Sequence, residues 1–177
     1  MRALVVYESM YGNTRQIADA IGAGLATAYR VDVVPVSQAT PWSLDGADLV
    51  VVGGPTHVHG ISRPSTRHAA AVDAAKPGSE LTLDPDAEGL GVREWFDTLR
   101  ATPPAKAAAF DTRIEVSVML SGRASKGIAR RLRRHGSELV AEPESFLVTK
   151  QNTLVPGETD RAREWGRQLA HTPAPSR

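Results

Sequence analysis

The stretch Ala3-Leu4-Val5-Val6-Tyr7-Glu8-Ser9-Met10-Tyr11-Gly12-Asn13-Thr14-Arg15 constrains this chain more than any other. Its apolar run reads as a buried strand, Ser9 to Asn13 as a tight hydroxyl-rich loop, and the residues on to Ile21 as a helix. That sequence of elements makes an anion site. The first N–H groups of a helix have no internal partner, and the helix dipole places partial positive charge there. Ser9 and Thr14 add hydroxyls, Asn13 adds an amide, and Gly12 lets the backbone approach closely. The loop has a single glycine, so it is not the G-x-G-x-x-G turn that wraps a dinucleotide pyrophosphate. It lacks Gly-Lys-Ser/Thr, which excludes the triphosphate loop. A small cup of neutral donors suits one phosphate monoester. Arg15 sits in the first helical turn, where it either offsets a bound anion or points to solvent.

A second landmark is Asp48-Leu49-Val50-Val51-Val52-Gly53-Gly54-Pro55-Thr56. An uninterrupted apolar run ending in two glycines suits a central parallel strand covered on both faces. With strand–helix alternation it predicts a doubly wound α/β fold, whose ligands sit beyond the carboxyl ends of the strands. The loops after the first and third strands would then meet at one site.

The remaining elements follow from pattern. Val31–Val36 is expected as a second strand, with Pro35 marking an edge position or the strand's end, and Trp42 as a side chain covering the core. Residues 61–92 are irregular, with a short helix near Pro64; the excursion reads as a lid, a contact surface or a tolerated insertion. Val92, Trp95, Phe96 and Leu99 share a helical face, and Ala101–Pro104 ends that helix. Ala107–Thr112 is expected as the fourth strand, with Ile114–Leu120 extending it or pairing beside it. Residues 121–135 form a basic amphipathic helix carrying Lys126, Arg130, Arg133 and Arg134, either a solvated face or a dock for an acidic partner. Glu144–Thr149 is the fifth strand, Thr159–Ala170 the closing helix, and 172–177 a disordered tail after a domain spanning 1–171.

Composition narrows the function classes. The chain has 177 residues, enough for one domain with a full core, and no cysteine, which rules out disulfides and thiolate chemistry. A net charge of +1 with pI near 8.2 gives no electrostatic case for nucleic acid. No apolar run is long enough to span a bilayer, and the expectation is a cytoplasmic protein. His57 and His59 have no third ligand at a supporting spacing, so no metal site is expected. No nucleophile–base arrangement supports a hydrolase, and no catalytic residue is assigned.

Ser9-Met10-Tyr11-Gly12-Asn13-Thr14 after a Val-rich first strand resembles the phosphate loop of the flavodoxin-like family, which binds flavin mononucleotide (FMN). Gly53-Gly54-Pro55-Thr56 falls where that family's second flavin loop belongs. The pairing of Tyr-Gly-Asn-Thr with Gly-Gly-Pro-Thr-His and Ser-Arg-Pro-Ser-Thr-Arg looks most like flavodoxin domain proteins of actinobacterial type. The resemblance implies a five-stranded parallel sheet of order 2-1-3-4-5. It also implies that Ser9, Met10, Tyr11, Gly12, Asn13 and Thr14 cradle the phosphate. Pro55, Thr56, His57, Val58, His59 and Gly60 would border the isoalloxazine ring, with Phe110, Asp111 and Thr112 from the loop after strand four.

Several features depart from the family pattern. Stacking aromatics are missing at the ring, where Tyr11 either reaches over the flavin or packs on the surface, and His57 could donate a proton near the ring. Val58 stands where many relatives have glycine and, being β-branched, is expected to resist positive φ, favouring two-electron over one-electron behaviour. Carriers of the family are strongly acidic; this chain is not. The implied function is FMN-dependent electron transfer with a redox partner protein or a small electron acceptor. Alternatives are a quinone-reductase-type oxidoreductase using a nicotinamide cofactor, a flavodoxin-type protoporphyrinogen oxidase, and a flavin-free binding domain.

Overall fold

A computed structural model describes residues 1–99 and 106–172. Its sheet begins with β1 (Arg2–Tyr7), whose residues alternate between two cores. Leu4 and Val6 face one side of the sheet; Ala3, Val5 and Tyr7 face the other. Strands buried on both faces need this near-continuous apolar sequence. Helix α1 (Asn13–Leu25) follows, then β2 (Arg30–Pro35), which pairs only with β1 and so forms the edge that Pro35 foretold. After a one-turn helix α2 (Pro41–Leu44), β3 (Leu49–His57) runs through the centre between β1 and β5 (Lys106–Ile114). All of these pairings are parallel.

The helices cover both faces. On one side α1 and the closing helix α7 (Glu158–His171) enclose Ile17, Ile21, Phe110, Phe146 and Trp165. The three aromatic rings meet edge to face with centroids 6.1–6.5 Å apart. On the other side α4 (Val92–Thr98) and α6 (Ala124–Arg134) bury Trp95, Phe96, Ile128 and Leu132. Trp95 Nε1 donates to the Ala39 carbonyl at 2.6 Å, which satisfies its one polar atom.

Three expectations need correction. The sheet has seven strands, because β3 turns back into a two-residue antiparallel β4 (Gly60–Ile61), and the fifth position is filled by two pieces. Those pieces are β6 (Glu138–Leu139) and β7 (Glu144–Val148), both parallel to β5. Pro143 lies between them and cannot donate to the ladder. The path β2-β1-β3-β5-β6 is otherwise the expected doubly wound order. Residues Ile114–Leu120 do not continue the strand; β5 ends at Ile114 and Val118–Ser121 forms a one-turn helix, α5. Trp42 does not cover the core but is 81 % exposed, and Leu44, two residues on, is buried instead. The expected helix break at Ala101–Pro104 and residues 173–177 of the tail lie outside the described residues. Helix α3 (Pro64–Ala74) occupies the start of the irregular 61–92 excursion.

Candidate functional site

The carboxyl ends of β1, β3, β5 and β7 open onto one cleft of about 220 Å³. Met10, Tyr11, Asn13 and Thr14 line it from the first loop; Pro55, Thr56 and His57 from the end of β3. Thr112 comes from β5. The first loop takes its shape from Gly12, which precedes α1 in the left-handed region at φ 87°. Its N–H donates to Ser9 Oγ at 3.1 Å. Among the described residues no side chain caps the start of α1, and no carboxylate lies in its first turn. The first N–H groups of α1 therefore remain available to a ligand.

The side chains of this loop are held from several directions. Thr14 Oγ1 lies 2.7 Å from Thr112 Oγ1, which joins the first helix to β5. The Asn13 amide donates to the carbonyl and side-chain oxygens of Asn152 at 2.9 and 3.1 Å. Tyr11 lines the cleft while its hydroxyl donates to the Ala70 carbonyl of α3 at 3.0 Å. Arg15 is neither free nor turned to the cleft, since its Nε pairs with Asp84 at 3.5 Å. Asp84 belongs to the irregular excursion, and its N–H donates to Met10 O at 2.8 Å, tying that segment to the loop. Ser9 is buried behind the loop, beside Glu8 and Asp84 rather than on the cleft wall.

The second loop is a tight hairpin. His57 pairs with Gly60, leaving Val58 and His59 as the two turn residues, at φ 44° and 70°. Two residues at positive φ are the signature of the turn that Asn-Gly normally makes. Val58 therefore adopts the backbone that its β-branch was expected to resist, and strain is stored at this tip. The tip is braced by the segment after α5. His59 bridges to Gly122, where a Cβ would sit 2.3 Å from the His59 carbonyl oxygen. Only glycine permits that approach, and Gly122 itself has φ 70°. Val58, His59 and Gly60 consequently line a groove on the other side of the hairpin, not the cleft.

Phe110 and Asp111 also lie away from the cleft. Phe110 is fully buried against Phe146 and Trp165. Asp111 is fully buried and accepts the Ser125 N–H at 2.7 Å, while Thr56 Oγ1 accepts that of Ala124 at 2.9 Å. The two side chains together cap α6 at the start of the helix.

Other wall residues were not foreseen: Arg113 and Ile114 at the end of β5, and Val148, Thr149, Lys150 and Asn152 after β7. Position alone could have found the second set, because loops beyond parallel strands are where such sheets bind ligands. Arg113 Nη1 donates to the carbonyls of Ile114 and Val116 at 3.3 and 2.8 Å and to Ser121 Oγ at 3.2 Å. Its Nε is buried with no partner among the described residues. No Asp or Glu lines the cleft among the described residues, whereas Arg113 and Lys150 do.

Below the hairpin lies a buried polar cluster. Glu8 Oε2 accepts the Val92 N–H at 2.8 Å, and burial pushes its pKa up. Arg67 is buried and donates to Ser62 Oγ at 2.9 Å and Glu94 Oε2 at 2.8 Å. Burial first, and then the Arg67 charge, hold the His57 imidazole below its ordinary pKa. The ring is therefore neutral at pH 7.

A profile described as the flavodoxin domain matches residues 4–68, which contain the first loop, the hairpin and Arg67. Flavodoxin 1 of Bacillus cereus superposes with a TM-score of 0.66 at 17 % identity, over 98 % of this chain and all of that one (100 %). A flavodoxin from the domain Archaea gives 0.63 at 20 % identity, over 96 % of both chains. The fold is flavodoxin-like. A WrbA-like flavodoxin protein from Agrobacterium tumefaciens resembles it less closely in shape, at TM-score 0.58 and 20 % identity, covering 96 % of this chain and 94 % of that one. None of the curated proteins matches this chain in sequence. Among its described residues no helix is long and apolar enough to cross a membrane.

Proposed function

We propose that the cleft binds FMN non-covalently and that the protein takes part in electron transfer with a partner protein or a small acceptor. One observation carries this reading: beside Met10, Pro55, Ile114 and Val148 the cleft presents hydroxyl, amide and cationic groups, with no carboxylate among the described residues, around an uncapped helix start. The orphaned Arg113 Nε and the free helical N–H groups fit an anionic ligand better than a neutral one. The phosphate would be held by the first turn of α1 with Asn13 and Thr14. Pro55, Thr56, His57 and Ile114 would flank the ring, and Lys150 would add a cation.

When bound, FMN supplies the redox centre, and the protein supplies position and electrostatics. Thr14 and Thr112, fixed on each other, hold a hydroxyl pair in place before any ligand arrives. His57 contributes a neutral imidazole able to donate or accept a hydrogen bond without adding charge.

Retention of FMN tests the reading. Protein mixed with a slight excess of FMN and passed through a desalting column should elute yellow, with about one flavin per chain. Colourless eluate would leave a flavin-free binding domain. Oxidation of a nicotinamide cofactor with a quinone acceptor would then separate a reductase from a carrier.

A further inference from the structure

Lys126, Arg130 and Arg134 follow one another at i, i+4 spacing on α6 and so form a single stripe. Opposite them stands the β3–β4 hairpin. Gly127 brings the two close: a Cβ there would lie 3.0 Å from Ile61 Cδ1. Between them runs a groove of about 410 Å³ lined by Arg93, Arg123, Lys126, Arg130, Arg131 and Arg134. No carboxylate lines it among the described residues.

Two of these guanidinium groups are fixed by the fold. Arg93 donates to the Ile61 and Ser62 carbonyls at 2.9 and 3.1 Å; Arg123 donates to Ser145 Oγ at 2.9 Å and to the Pro143 carbonyl. Arg131 pairs with Asp97 at 3.0 Å. Lys126, Arg130 and Arg134 have no acidic partner among the described residues. The whole chain carries only +1, so the groove is a local concentration of charge and not general basicity. Clustered like charges repel, which leaves the groove matched to an incoming anion.

Beside the groove the surface becomes apolar. Val58 is 81 % exposed at the hairpin tip, and Met119 and Leu120 on α5 are 92 % and 70 % exposed. The His59–Gly122 bridge keeps hairpin and α5 together. An apolar patch flanked by cations has the anatomy of a protein interface. The cations line a recess, which protruding carboxylates can enter and a flat bilayer cannot.

We propose that this groove and the apolar tip beside it dock an acidic segment of a partner protein. The proposal depends on the electron-transfer reading only for the partner's being a redox protein. Its sign is opposite to that of the acidic carriers the chain resembles.

A fluorescein-labelled oligoglutamate peptide serves as the probe, followed by anisotropy at low salt and again at about 0.3 M, where screening is strong. Binding is expected at low salt, falling about tenfold or more at high salt and in Arg130→Glu/Arg134→Glu. Arg163→Glu/Arg167→Glu changes net charge equally but sits on α7, where both residues are paired with acids, and should cost less than about twofold. Equal losses in the two double variants, or no binding, would overturn the proposal. So would equal affinity for oligothymidylate, or binding confined to phosphatidylserine vesicles. Desalting with FMN on the same samples keeps the two readings apart. Peptide bound without flavin leaves the dock and removes the redox role; flavin retained without peptide removes the dock alone.

Discussion

The two loops that meet at the cleft are built on opposite terms. After β1, Gly12 takes positive φ without cost, the side chains of Ser9, Asn13 and Thr14 are bonded to the protein, and the loop is largely buried. After β3, a valine and a histidine take positive φ, one of them among the most exposed apolar side chains described. The first loop is fixed by bonds within the protein, as the proposed phosphate site requires. The second is strained, apolar and outward-facing, and stays in place because other elements brace it. The difference teaches where rigidity lies: the loop after β1 has its geometry set in advance, whereas the hairpin end is a surface held under tension.

The bracing is the point at which this contrast is most easily broken. Arg67 links the buried ends beneath both loops, since it pairs with Glu94 and Ser62 and faces Glu8. Arg67→Met would leave buried Glu8 and half-buried Glu94 without a counter-charge and should destabilise the fold by about 3 kcal/mol. Chemical denaturation measures this directly. Next in size is Gly122→Ala, which sets a methyl against the His59 backbone and imposes positive φ on alanine; about 2 kcal/mol is expected, with the loss centred on the hairpin. Amide hydrogen exchange should then quicken at residues 57–61 and stay unchanged at α1. Uniform quickening would mean that the hairpin is not an independently braced unit.

Releasing the strain should have the reverse sign. Val58→Gly accepts φ 44° freely, and a gain of about 1 kcal/mol is expected, offset in part by glycine's greater unfolded-state entropy. A clear loss of stability would show that the valine side chain stabilises the tip by contacts outweighing its backbone cost.

The smallest effect concerns pH. His57 titrates below 6.5 in the folded state, so the unfolded chain binds the proton first as pH falls. Stability should therefore decline from about pH 6.5 down to the folded pKa, and His57→Asn should flatten that slope. Glu8, raised by burial, acts in the other direction: its contribution is greatest below about pH 4.5 and is lost as pH rises through its folded pKa.

What could be read from sequence followed the same division. The first strand, loop and helix were legible because an apolar run, one glycine and flanking hydroxyls all point to one geometry. The central strand was legible for the same reason. The hairpin was hidden, because Val58-His59 carries none of the Asn-Gly chemistry that marks such a turn. Ile114–Leu120 alternates like a strand, yet Arg113 draws in the carbonyls of Ile114 and Val116 and the chain turns into α5 instead. Phe110 and Asp111 were placed at the site by their position near a strand end; the sheet continues past them, to Ile114. Trp42 reads as a core side chain in a short helix or turn, yet the one-turn helix α2 presents Leu44 inward.

The central claim is that the preorganised loop after β1 holds a phosphate. Fluorescence titration of the flavin-free protein with FMN and with riboflavin, repeated for Thr14→Ala, tests it most directly. FMN should bind more tightly than riboflavin, and Thr14→Ala should weaken FMN by about tenfold while leaving riboflavin nearly unchanged, the effect of losing one charge-assisted hydrogen bond. Equal affinity for the two flavins, or equal losses for both in the variant, would contradict the account.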